Sequence, residues 1–168
     1  AIEIQNNKEI QKYNTFKKPN EIKLSDEQMK AVNEITKNDN EFRVHVIQGT
    51  TGSGKTIVYF NSLKKKISEG FQGLILLPEI GLTGEFQKKF KEFFGFEAAI
   101  WHSSITKKNK KIIWNGIANG KIKVLIGARS SLFLPFLNLG IIIVDEEHDQ
   151  SYKQDEGIIY NARDMAIS

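Results

Sequence analysis

A glycine-rich segment at positions 49–56 matches the phosphate-loop pattern G-x-x-x-x-G-K-[ST] in full. It consists of Gly49, Thr50, Thr51, Gly52, Ser53, Gly54, Lys55 and Thr56. Glycines let the backbone turn tightly and bring successive N–H groups to phosphate oxygens. Lys55 is expected to reach the β- and γ-phosphates, and the Thr56 hydroxyl is expected to bind Mg²⁺. The pattern therefore predicts a nucleoside triphosphate site.

Two adjacent carboxylates, Asp145 and Glu146, follow an aliphatic run at positions 141–144. A buried parallel strand would deliver both to the edge of the sheet where ligands bind. There Asp145 is expected to hold Mg²⁺ through water, and Glu146 to orient and polarise the attacking water. Lys55, Asp145 and Glu146 are thus the predicted catalytic residues. In the alternative, Asp145 caps a helix and the residues after it form a solvated turn.

Strands and helices that could position these groups alternate along the chain. Strands are predicted for the aliphatic runs 44–47, 74–77, 98–101, 124–126 and 141–144. Helices are predicted for 25–37, 55–69, 84–94 and 107–118, the first opening on a capping box formed by Ser25 and Gln28. This order predicts a three-layer α/β fold with a mainly parallel sheet.

Composition limits the class of protein. The 168 residues suffice for one core, which we assign to residues 23–168, with residues 1–22 forming an arm or interdomain linker. There is no cysteine, no signal peptide and no apolar run near the roughly 20 residues of a membrane helix, so we expect a cytoplasmic protein without disulfides. A net charge of +4, from 24 Lys and Arg against 20 Asp and Glu, is compatible with nucleic acid but decides nothing alone.

Five segments carry a resemblance to a known family. Residues 145–148, Asp-Glu-Glu-His, resemble motif II of the DEAD/DEAH-type helicases of superfamily 2, whose third residue is usually Ala rather than Glu147. Residues 76–83 and 126–136 resemble motifs Ia and Ib of the replication-restart helicases within that superfamily. Residues 151–154 and 160–164 resemble the aromatic-rich loop of the same helicases. The similarity extends from about residue 24 to the end of the chain.

The resemblance implies the first RecA-like motor domain of an ATP-dependent 3′–5′ DNA helicase acting in primosome assembly and restart of stalled forks. It implies ATP and Mg²⁺ as ligands, and forked or single-stranded DNA, single-strand-binding protein and primosome proteins as partners. The domain is expected to lack its last elements and the second motor domain. Zinc is expected only in the rest of such a protein. The segment by itself is expected to bind nucleotide without unwinding DNA.

The resemblance also suggests roles for individual residues. Gln28 falls where superfamily 2 enzymes read the adenine edge, although a cap at the third helical position explains it equally well. Thr83 and Arg129 follow predicted strands and could hold phosphates of a single strand. Thr83 could instead cap the next helix, and Arg129 could form a structural ion pair.

The aromatic-rich loop is expected to couple DNA to the hydrolytic carboxylate. Tyr152 or Tyr160 could stack on bases while Lys153 and Arg163 hold phosphates, although Tyr160 could equally be buried packing. His148 belongs to the same coupling set through motif II, although such a residue alone is more often a surface or packing histidine. The lysine runs 64–66 and 107–111 are interpreted as solvated helix faces, with direct DNA contact as the alternative.

Other functions remain open from the sequence. A GTPase would carry an N/T-K-x-D motif, but residues 106–109 end in Asn109. A small-molecule kinase needs lid arginines, and the chain has only Arg43, Arg129 and Arg163. A DNA translocase would share the first two motifs without the Tyr/Lys loop. A nucleotide-binding module that never hydrolyses ATP would not need Glu146.

Overall fold

Aliphatic runs and amphipathic helices alternate in the computed structural model, which describes residues 9–13, 23–37, 41–50, 54–78, 84–146 and 154–161. The elements, in chain order, are α1 (Asp26–Ile35), β1 (Arg43–Thr50), α2 (Lys55–Ser68), β2 (Gln72–Leu76), α3 (Gly84–Phe94), β3 (Ala99–Trp101), α4 (Lys107–Ala118), β4 (Val124–Gly127), a 3₁₀ helix (Arg129–Phe133), β5 (Leu139–Glu146) and β6 (Gln154–Asn161). The predicted strands and helices are all present, with ends that differ by a few residues.

The strands form one sheet in the order β1-β6-β5-β2-β4-β3. Strands β5, β2, β4 and β3 pair in parallel, whereas β6 runs antiparallel to both of its neighbours, β1 and β5. Strand β1 therefore points the same way as β5. Five of the six strands are mutually parallel, which confirms the mainly parallel sheet.

Helices cover both faces of this sheet. Ile75, Ile126 and Ile143 point to one face, where they belong to a core shared with α1, α2 and α3. Their neighbours in sequence point to the other face and pack with α4 and the segment after the 3₁₀ helix. Because successive strand residues face opposite sides, continuous aliphatic runs are what a sheet buried on both faces requires. The three-layer architecture is confirmed.

Aromatic side chains join α2 to α3. Phe60 of α2 is 4% exposed, and its ring centroid lies 5.2–5.8 Å from those of four phenylalanines of α3. Those four residues are Phe86, Phe90, Phe93 and Phe94. The helix that follows the phosphate loop is therefore held in place by edge-to-face and tilted ring contacts.

Two expectations about local structure were wrong. Strand β6 contains Gln154, Tyr160 and Asn161, which the resemblance placed in an aromatic-rich loop, because residues 154–161 pair with both β1 and β5. Lys66 does not lie on a solvated face but is 1% exposed. Its Nζ lies 4.0 Å from a Glu69 carboxylate oxygen and 5.1 Å from the centroid of the Phe71 ring, so an ion pair and a cation–π contact offset the burial of its charge.

Among the described helices, none combines the length and hydropathy needed to span a lipid bilayer.

Candidate nucleotide site

Strand β1, the phosphate loop and α2 follow one another as the motif requires. The backbone of β1 continues through Gly49 and Thr50, and α2 begins at Lys55. Gly54, the residue before the helix, has φ +85°, a conformation that favours glycine. Thr51, Gly52 and Ser53 lie outside the described residues. The start of α2, where the helix dipole has its positive end, directly follows the phosphate loop in the chain.

An ammonium group at the start of α2 and a carboxylate near the end of β5 are both held out of solvent. The Nζ atom of Lys55 and the Oδ1 atom of Asp145 are both shielded from water, and Asp145 as a whole is 8% exposed. The side chain of Thr56, next to Lys55, is half-buried. A hydroxyl, a carboxylate and an ammonium group fit the demands of Mg²⁺ and triphosphate oxygens. Only the backbone of Glu146 is described.

Pairing through β6 sets the level of the acidic residues relative to the phosphate loop. Gly157 of β6 lies opposite Ile47 of β1 and opposite Asp145 of β5. The backbone of Glu146 therefore lies level with Gln48, one residue before Gly49. Strands β1 and β5 are two strand spacings apart, or about 10 Å. The two motifs end at the same edge of the sheet, as predicted.

Gln28 connects α1 to the phosphate loop. Its Oε1 accepts a hydrogen bond from the Ser25 backbone N–H at 3.0 Å, while its own backbone N–H donates to Ser25 Oγ at 3.2 Å. This confirms the capping box. The amide Nε2 points elsewhere, because a Cβ atom built on Gly54 would stand 2.5 Å from it. One side chain therefore caps the helix and also lies against the last glycine of the loop.

Tyr59 is a buried residue near the candidate site that the sequence pattern did not reveal. It lies one turn after Lys55, is 3% exposed, and its ring sits where any side chain at Gly157 would have to be. Tyr59 thus packs on the strand that separates the phosphate-loop strand from the Asp145 strand. A glycine within a strand marks a close approach of this kind, and Gly157 was the available signal.

His45 lies on β1, on the side of the strand that faces α1. Its Nε2 is buried and has no hydrogen-bond partner among the described residues. Burial lowers the pKa of this imidazole, the nearby Glu34 carboxylate raises it, and Arg43 lowers it, with a net decrease. Arg43 itself is paired with Glu34 at 3.4 Å and with Glu41 at 3.6 Å. The imidazole is therefore neutral at pH 7.

This burial predicts a pH-dependent stability. Since the folded-state pKa of His45 lies below its unfolded value of about 6.5, the unfolded chain binds more protons in mildly acidic solution. The contribution of neutral His45 to the free energy of unfolding is complete above about pH 6.5 and is lost as the pH falls through the folded-state pKa. His45→Gln should weaken the fall of the melting temperature between about pH 7.5 and pH 5. His102→Gln, at a half-buried loop histidine, is the matched control; equal slopes for wild type and His45→Gln would contradict the assignment.

Of the predicted DNA-contacting residues, the structure describes Arg129 and Tyr160. Arg129 is exposed and begins the 3₁₀ helix at the carboxyl end of β4. Tyr160 is half-buried in β6, where its ring stacks on Phe42 with centroids 6.0 Å apart. Thr83, His148, Tyr152, Lys153 and Arg163 lie outside the described residues.

A strand that leads through a phosphate-loop sequence into a helix, and a buried carboxylate on a parallel strand that ends at the same sheet edge, define the phosphate-loop class of α/β domains. The DEAD/DEAH box helicase family matches residues 25–166, and the chain belongs to this family.

Within the family the chain is of the PriA type. It is 54% identical to the replication restart protein PriA of Rickettsia conorii over 144 residues, which are 86% of this chain and 22% of that protein. It is 42% identical to the replication restart protein PriA of Bacillus subtilis over 154 residues, 90% of this chain and 19% of that protein. The chain thus spans about a fifth of the length of these curated relatives.

A solved structure shows the same fold. The structure of RecG bound to a three-way DNA junction superposes with a TM-score of 0.64 and 30% sequence identity, covering 77% of this chain and 19% of RecG. The RecA-like α/β domain expected from the sequence is therefore confirmed.

Proposed function

We propose that this chain is the ATP-binding motor domain of a DNA-dependent ATPase and 3′–5′ DNA helicase that acts in primosome assembly and restart of stalled forks. The observation that carries the proposal is the meeting of the phosphate-loop strand and the Asp145–Glu146 strand at one sheet edge. The relatives named for replication restart, and the DNA junction bound by RecG, support DNA as the substrate. Single-strand-binding protein and primosome proteins are the proposed partners, in the cytoplasm.

The proposed chemistry divides the work among the residues at the sheet edge. Backbone N–H groups at the start of α2 and the Lys55 ammonium group bind the β- and γ-phosphates. Thr56 and Asp145 hold Mg²⁺, which neutralises charge on the phosphate oxygens when it is bound. Glu146 orients the attacking water. In the segment alone this set is expected to bind nucleotide, with hydrolysis slow or absent, because charge on the transferred phosphoryl group also needs stabilisation from the second motor domain.

Gln28 offers a prediction that separates its two roles. In the full-length protein, Gln28→Glu keeps the Oε1 acceptor that caps α1 and adds a charge that the helix start favours. It removes the amide donor. If Gln28 reads adenine, Gln28→Glu should lower the preference for ATP over GTP by about tenfold, which corresponds to the loss of one or two hydrogen bonds. The melting temperature should equal that of the wild type within experimental error. Competition binding with both nucleotides measures the preference.

The control for this experiment is Gln28→Ala, which removes both the cap and the donor. It should reduce nucleotide preference to the same extent and also destabilise the protein by about 1 kcal/mol. If Gln28→Glu retains the full preference for ATP, Gln28 is a capping residue only.

Strand displacement tests the helicase proposal itself. The full-length protein, given a forked duplex with one labelled strand, should release that strand only in the presence of hydrolysable ATP and Mg²⁺. A non-hydrolysable ATP analogue is the control and should give no release. Nucleotide hydrolysis without strand release on forks of either polarity would favour a translocase instead.

A further inference from the structure

An exposed stripe runs along α4 and includes two residues of the lysine run 107–111. Lys107, Lys111 and Trp114 are spaced at i, i+4 and i+7 and therefore lie on one side of the helix. All three are exposed, Trp114 by 46%. The opposite side of α4 packs into the core through Ile112, Ile113, Gly116 and Ile117. We call the three exposed residues the α4 stripe.

The two lysines of the α4 stripe, Lys107 and Lys111, do not stabilise the helix that carries them. Thr106 caps α4 by accepting a hydrogen bond from the Asn109 N–H at 3.2 Å, and four of the first five residues are lysines with no acid in the first turn. The helix dipole disfavours cations at this end. Lys108 forms an ion pair with Glu9 at 3.6 Å, but Lys107 and Lys111 have no ion-pair partner within the described part of the chain. Lys107, in the first turn, is thus held where its charge costs stability, and Lys111 lies one turn further along the same side of the helix.

Trp114 distinguishes this surface from an ordinary solvated helix face. A solvated face needs no large aromatic side chain, and an indole nearly half exposed beside two cations offers a flat apolar platform. Single-stranded nucleic acid is bound by this combination, because bases stack on aromatic rings while lysines pair with phosphates. Charge and shape both fit a polyanion with exposed bases.

The stripe is far from the nucleotide site: it begins with Lys107 at the same edge of the sheet and runs along α4 toward the opposite edge. Helix α4 starts after the carboxyl end of β3, next to β4, whose carboxyl end leads to the exposed Arg129. Strands β3 and β1 stand at opposite ends of the sheet, five strand spacings or about 24 Å apart. Substitutions on the stripe therefore leave the phosphate loop and Asp145 untouched.

We infer that the α4 stripe is a binding track for single-stranded nucleic acid, in which Lys107 and Lys111 hold consecutive phosphates and Trp114 stacks on an unpaired base. The inference rests on the proposed function in one respect, that DNA is the natural strand. The track adds to the contacts expected from Thr83, Arg129 and the aromatic-rich segment, and lies on a different element from each of them.

The test is binding of a fluorescent oligodeoxythymidylate to the full-length protein, followed by anisotropy over a series of salt concentrations. The double variant Lys107→Gln/Lys111→Gln should bind more weakly. Its log affinity should also fall less steeply with log salt concentration, by about 1.4 in the magnitude of the slope, or 0.7 per lost phosphate contact. Trp114→Ala should weaken binding about tenfold with an unchanged slope, and Trp114→Phe should restore most of the loss. ATP turnover without DNA should be unaffected in all three variants.

The matched control is Lys64→Gln/Lys65→Gln on α2, which removes the same charge from exposed lysines on the opposite face of the sheet. It should leave the salt slope unchanged. The inference is overturned if the α4 and α2 pairs change the slope equally, or if neither changes it. Wild-type protein that binds no oligonucleotide at any salt concentration would refute DNA as the substrate, and the proposed function with it.

Discussion

Replacing Glu146 with Gln in the full-length protein is expected to stop ATP turnover while ATP still binds. Glutamine matches the size of glutamate but cannot accept a proton from the attacking water. General-base catalysis is worth about 10²–10⁴-fold, and we expect a fall in kcat within that range. Steady-state hydrolysis in the presence of forked DNA measures the fall, and equilibrium titration with a fluorescent ATP analogue measures binding.

The neighbouring carboxylate supplies the control for this experiment. Glu147→Gln makes the same chemical change one residue further along the acidic motif and should leave most of the turnover intact. If turnover by Glu146→Gln equals that of the wild type, the proposed role of Glu146 is wrong. Loss of ATP binding together with turnover would make Glu146 part of the binding site rather than the hydrolytic group.

Lys55→Ala is expected to bind ATP much more weakly and to lose turnover. The Nζ atom is shielded from solvent, so its attraction to phosphate is only weakly screened by water. Hydrogen bonds to charged groups contribute about 1.5–3 kcal/mol, which corresponds to about 10- to 150-fold weaker binding when one is removed. Calorimetric titration with ATP and Mg²⁺ measures this loss, and hydrolysis in the presence of DNA should fall to background.

Lys64→Ala, an exposed lysine on the same helix, controls for the general effect of removing a positive charge. It should bind ATP with wild-type affinity. Circular dichroism should show that Lys55→Ala keeps its secondary structure, since Lys55 is the first residue of α2 and does not belong to the core. Unchanged ATP affinity in a folded Lys55→Ala protein would contradict the assignment of the phosphate loop.

Much of the fold could be predicted from the sequence because its main signals are local. Continuous aliphatic runs such as 141–144 are required where a strand is buried on both faces, and Gly54-Lys55 marks the beginning of a helix after a phosphate loop. The capping box of Ser25 and Gln28 depends on two residues three positions apart. Such features need no knowledge of distant parts of the chain.

The features that escaped prediction depend on contacts between residues distant in sequence. Strand β6 exists because β1 and β5 leave a gap between them, and residues 154–161 carry no strong strand pattern of their own. The packing of Tyr59 on Gly157 joins positions almost a hundred residues apart. Burial of Lys66 required Glu69 and Phe71 to fold back beside it.

The same distinction applies to the candidate site. Lys55 and Asp145 could be predicted as site residues because each belongs to a short motif with a defined chemistry. Their placement at one sheet edge followed from the rule that parallel strands present their carboxyl ends together. The second contact of Gln28, with Gly54, could not be derived in this way, because α1 and the loop meet only in the folded protein.

The measurement that tests the account most directly is ATP hydrolysis by the full-length protein with and without forked DNA, with Lys55→Ala as the control. The account predicts strong stimulation by DNA that disappears in Lys55→Ala. Turnover that depends on Lys55 but is indifferent to DNA would contradict the helicase proposal while leaving the ATP site in place.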